Sequence, residues 1–111
     1  MNFNLSVGTY NDIEAFDYVT KTLMDYCNCG EISWDKKDGR YIAIIDSSQE
    51  QLEKAFKVII EVYNKVILYA DCSYSIREDD GSADWWESIT ISTEYMNGKN
   101  QVTSSNGTYW N

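Results

Sequence analysis

The chain predicts an α+β fold: one antiparallel sheet with two helices on one face, in the order β-α-β-β-α-β-β-β. Three observations carry this. Residues 85–95 (Trp-Trp-Glu-Ser-Ile-Thr-Ile-Ser-Thr-Glu-Tyr) alternate with period two, as a half-buried strand does. Asp80-Gly81 and Asn97-Gly98 frame that stretch, and both dipeptides are strong signals for two-residue hairpin turns. Two apolar stripes at helical spacing lie upstream, separated by strand-like segments. At 111 residues the chain is expected to form a single domain over 1–111, with a core that needs no disulfide or metal.

Phe3, Leu5 and Val7 alternate with Asn2, Asn4 and Ser6, which predicts a first strand ending at Gly8. Asn11 is the expected N-cap of the first helix, with Glu14 as its capping-box partner. Ile13, Phe16, Val19, Thr20, Leu23, Tyr26 and Cys27 form its expected buried stripe, and the segment Asn28 to Gly30 ends it. Glu31 to Trp34 and Arg40 to Asp46 are expected to pair around Asp35-Lys36-Lys37-Asp38-Gly39. Tyr41-Ile42-Ala43-Ile44-Ile45 is apolar on both faces, as an interior strand should be. Ser47 or Ser48 should cap the second helix, backed by Glu50 or Gln51, with Leu52, Ala55, Phe56, Ile59, Ile60 and Tyr63 inward.

From Val66 the chain is strand-like to its end. A two-residue loop at Asp80-Gly81 sets Arg77 opposite Asp84, Ile76 opposite Trp85, Cys72 opposite Ile89 and Ala70 opposite Ile91. A loop at Asn97-Gly98 sets Thr93 opposite Val102, Trp86 opposite Tyr109 and Trp85 opposite Trp110. Both registers turn Trp85, Ile89 and Ile91 inward, with Tyr95 of the same parity, and place Trp85 in the core beside Ile76 and Trp110. The last strand is polar until its aromatic end, as befits an exposed edge, and Gly107 is a candidate bulge in it. The first six elements then match a ferredoxin-like arrangement, extended by a C-terminal β-meander into the strand order 6-5-4-1-3-2. A sheet curled around the longer helix is the alternative.

Composition excludes much chemistry. Histidine is absent, so no Ser-His-Asp or Cys-His machinery and no His-ligated zinc site exists within the chain. Cys27, Cys29 and Cys72 are too few for a four-ligand zinc site, and Cys27 and Cys72 are expected as small buried residues. Glu78, Asp79, Asp80 and Asp84 crowd one turn but lack the ligand spacing of an EF-hand, so an acidic hairpin tip is expected there rather than calcium. The glycines are scattered singly, with no phosphate-cradling loop, so no cofactor is expected. The start of the chain has no signal-peptide pattern and no stretch matches a membrane span, which makes a cytoplasmic location the expectation.

Eighteen acids against nine bases give a net charge of −9, which disfavours direct binding to nucleic acid or an anionic membrane. Tyr69, Trp86 and Tyr109 are expected on the outer face of the last three strands, with Asp71, Asp84 and Glu94 beside them. These aromatics and acids, together with the acidic tip Glu78, Asp79 and Asp80, are the expected contacts to a basic protein surface. A second expectation is a small-molecule pocket near Tyr74, Trp85 and Glu87, where a carboxylate among aromatics would serve as an acid or a hydrogen-bond acceptor. A third is a homo-oligomer built through the edge strand or the outer sheet face. The leading expectation is a non-enzymatic acidic inhibitor of a nucleic-acid-acting enzyme, of the kind met in toxin-immunity proteins and phage anti-defence (anti-CRISPR-like) proteins.

Overall fold

The computed structural model describes residues 1–9, 12–27, 35–37, 40–77 and 84–110. Six strands and two helices follow in the expected order: β1 (Asn2–Gly8), α1 (Ile13–Tyr26), β2 (Asp35–Lys37), β3 (Arg40–Asp46), α2 (Gln49–Val62), β4 (Ile67–Arg77), β5 (Asp84–Met96) and β6 (Lys99–Trp110). The sheet has the order β2-β3-β1-β4-β5-β6, and its strand pairs are antiparallel. This is the expected strand order, read from the other edge.

One face of this sheet makes the core. Phe3, Leu5 and Val7 of β1 are buried with Ala43 and Ile45 of β3, Leu68, Ala70 and Cys72 of β4, and Ile89 and Ile91 of β5. Large and small side chains alternate across the strands: Leu5 pairs with Ala43 on one side and Ala70 on the other, and Ala70 pairs with Ile91. The alanines leave room for the helices. Ala15, Val19 and Leu23 of α1 and Leu52, Ala55, Phe56 and Ile59 of α2 complete the same buried cluster. The Tyr18 and Tyr63 rings, with centroids 5.4 Å apart and planes tilted by 54°, join the two helices. Cys27 and Cys72 are buried as small apolar residues.

The second helix starts where its residues predict. Ser48 accepts from the Gln51 N–H at 3.2 Å and Gln51 reaches back to the Ser48 N–H, a complete capping box. The first helix starts one residue later than expected. Asp12, not Asn11, is the N-cap, and its carboxylate accepts from the Ala15 N–H at 3.1 Å. Ile13 consequently occupies the first turn on the solvent side and is 75% exposed, so it does not belong to the buried stripe. Tyr26, in the last turn, is also exposed.

Two further expectations are corrected in the sheet. Asp35–Lys37 is strand rather than loop: Lys37 pairs with Arg40, and only two residues separate them. Glu31 to Trp34 lie outside the described residues. Gly107 is not a bulge, because the β5–β6 register runs without interruption from Trp85↔Trp110 to Met96↔Lys99, with Gly107 opposite Ser88. Both hairpin registers agree with the turn chemistry in every described pair. Asn97 and Gly98, at φ 53° and 76°, supply the two positive φ values that a type I′ turn requires. Among the described residues, no helix is long and apolar enough to cross a membrane.

Candidate interaction surface

The helices cover one side of the sheet, and among the described residues nothing covers the other. Register places its side chains in rows. One row runs Ile42, Ser6, Tyr69, Ser92 and Thr103 from β3 to β6. The next runs Ile44, Asn4, Asp71, Thr90 and Ser105. Ile44 is 70% exposed and Ile42, Tyr69 and Ile67 are each close to half exposed, although all four belong to strands whose alternate residues form the core. Ser6 and Asn4 are short, so Ile42 and Tyr69 stand about 10 Å apart across β1 with only a small side chain between them. The result is an open surface with apolar anchors and a hydroxyl-lined right flank, where Ser92 and Thr103 hydroxyls meet at 3.1 Å.

Several expected binding residues share this surface. Tyr69 and Glu94 are exposed on it, and Asp71 and Trp86 are half-buried. The Trp86 and Tyr109 backbones are paired, as the turn register requires. Asp84 pairs with Arg77 in the β4–β5 ladder. Glu78, Asp79 and Asp80 lie outside the described residues, as do the side chains of Asp84 and Tyr109. Ile42, Ile44 and Ile67 were not among the expected binding residues. The signal for the first two was present in the run Tyr41 to Ile45, whose double-sided apolarity suits a strand buried on both faces. The fold covers only one of them.

On the inner face, Tyr74 and Glu87 are paired across β4 and β5, and the Tyr74 hydroxyl donates to the Glu87 carboxylate. That hydrogen bond, with burial and the nearby charges of Glu87 and Cys72, raises the Tyr74 pKa above the ordinary tyrosine value of 10.0. The phenol is thus held protonated, as a donor. Trp85 pairs with Ile76 in the ladder; its side chain lies outside the described residues.

An open groove lies at the opposite end of these strands. Tyr69↔Ser92 is the last β4–β5 pair; beyond it the Leu68 N–H donates to the Thr93 hydroxyl at 3.1 Å instead of to a strand carbonyl. β5 and β6 continue as a projecting hairpin, and the Asn100 side-chain amide ties it back to the Asn64 carbonyl. Tyr95, expected inward with Ile91, is 68% exposed because it lies past the end of the buried cluster. It lines an open groove of about 870 Å³ with Asn64, Lys65, Val66, Ile67 and Asn100.

These features define an α+β protein with one helix-covered and one uncovered sheet face. The sequence matches no protein-family model, and no curated protein or solved structure matches it.

Proposed function

We propose that the chain is a non-enzymatic acidic inhibitor that binds, through the uncovered face of its sheet, the basic surface of a nucleic-acid-acting enzyme. Toxin immunity and phage anti-defence are two settings in which such an activity is used. The observation that carries this is the exposure of Ile42, Ile44 and Tyr69 on a face that also presents Asp71 and Glu94. Exposed apolar and aromatic side chains in the middle of a sheet mark a binding surface. Acids around them steer a basic partner into register and exclude acidic ones. A net charge of −9 extends that attraction beyond the contact itself.

The test is capture from cells of the native host or its phage-infected counterpart, followed by competition. The captured protein is expected to bind DNA or RNA by itself and to lose that binding when the chain is added. Ile44→Asp is expected to remain folded and to abolish the competition. A captured protein that holds its nucleic acid unchanged in the presence of excess chain refutes the proposal.

The open groove beside Tyr95 favours a second reading, a small-molecule-binding protein, with the ligand at the hairpin end rather than beside Tyr74, Trp85 and Glu87. Native mass spectrometry of gently purified protein, showing a bound mass lost in Tyr95→Ala, is the result that would support it.

A further inference from the structure

β6 ends the sheet, and among the described residues no strand pairs with its outer side. It is twelve residues long, and its register against β5 contains no bulge. The chain contains no proline. Natural sheets blunt such edges by shortness, bulges, prolines or charges; the single charge on β6 is Lys99, at its first residue.

The distribution of acids says what this edge admits. No Asp or Glu follows Glu94, so the last seventeen residues of a chain with eighteen acids carry none. Two copies of a molecule with a net charge of −9 repel each other from most directions. Along β6 they meet polar, uncharged residues: Gln101, Ser104, Ser105 and Asn106, all exposed. An edge that had to receive a basic strand would gain from acids, whereas an edge that receives its own copy must be without them.

We infer that β6 pairs with β6 of a second copy about a twofold axis, joining two six-stranded sheets into one continuous antiparallel sheet. Residues on the same face must meet, so the self-pairing register has an even sum and the axis passes through a residue. For a strand running from Lys99 to Trp110 the central candidates are Ser104 and Ser105. Either choice holds the two Lys99 residues roughly 33 Å or more apart, at 3.3–3.4 Å per residue along the strand. It also presents both uncovered faces on the same side. This goes beyond the proposed binding of a basic partner and does not depend on it.

The test needs only the purified chain. Sedimentation is expected to give twice the 12.8 kDa mass of one chain. Ser104→Glu/Ser105→Glu and Ser104→Lys/Ser105→Lys each put like charges face to face at the axis in either central register. Two such charges about 5 Å apart weaken the dimer about fourfold at the dielectric constant of water and low salt. Both positions are exposed, and unchanged circular dichroism is the check that each variant folds. Mixing the Glu and Lys variants in equal amounts is expected to restore a dimer that contains one of each. A wild-type chain that sediments as a monomer, a dimer unaffected by both variants, or variants that weaken the dimer without rescue on mixing would each overturn the inference.

Discussion

Ile44 and Ile45 are adjacent on β3, chemically identical, and oppositely placed: Ile45 is fully buried and Ile44 is 70% exposed. Replacing each with alanine is a sharp test of which face of the sheet is the core. Ile45 pairs with Phe3, itself fully buried, and the substitution removes three carbons from a packed site. At about 0.8 kcal/mol per buried carbon the transfer loss is about 2.4 kcal/mol. An unfilled cavity brings the cost to about 3 kcal/mol, within the usual range for such truncations. Ile44→Ala deletes the same atoms from a site already in water, and its cost is expected within about 0.5 kcal/mol. In urea, with a slope of about 1.5 kcal/mol per molar, Ile45→Ala lowers the midpoint by about 2 M and Ile44→Ala by less than about 0.4 M. A one-residue slip of β3 against β1 would exchange the two results. Equal midpoints, or a larger loss for Ile44→Ala, would refute the assignment of the faces and with it the binding surface.

Other expectations follow from single contacts. Ser48→Ala removes the acceptor of the α2 capping box and is expected to cost about 1 kcal/mol. Thr93→Val leaves the Leu68 N–H without its acceptor; a loss of about 1–2 kcal/mol and faster amide exchange at Leu68 are expected, and an unchanged exchange rate would remove Thr93 from that role. The raised Tyr74 pKa means that the folded state favours the protonated phenol, so its contribution is complete below pH 10 and is lost as pH rises through the folded value. Glu87→Gln should therefore bring one tyrosine down toward its ordinary titration in an ultraviolet pH titration, and Tyr74→Phe should abolish that difference.

The parts of the fold that were legible in the residues share one cause: local chemistry that leaves a single solution. Asn97-Gly98 accepts two positive φ values at little cost, so the β5–β6 register follows from counting outward. Once that register is set, parity assigns Ile89 and Ile91 to the core. Capping was legible to within one residue because Asn11 and Asp12 are both good caps by residue type. Tyr95 shows what periodicity omits. It has the parity of its buried neighbours, but parity names a side of a strand and not how far along it the opposing layer extends. β5 outruns β4, so Tyr95 has the inward direction with no core beneath it.

The same limit gives β3 its meaning. An apolar run at both parities predicts cover on both faces, and the helices provide it on one. β3 is interior to the sheet, with β2 on one side and β1 on the other, so edge protection does not explain its outward isoleucines. Helix formation does not explain them either, since their backbone is in the ladder. What distinguishes Ile42 and Ile44 from the outward residues of β1, which are Asn2, Asn4 and Ser6, is that nothing in the described chain uses their apolar surface. The neighbouring strand shows that polar residues are tolerated at these heights of the sheet. Ile42→Ser and Ile44→Ser should therefore leave solubility intact or improved and β3 pairing unchanged, while reducing affinity for the basic partner proposed for the uncovered face. An unaltered affinity in the doubly substituted chain would refute the proposed docking on this face.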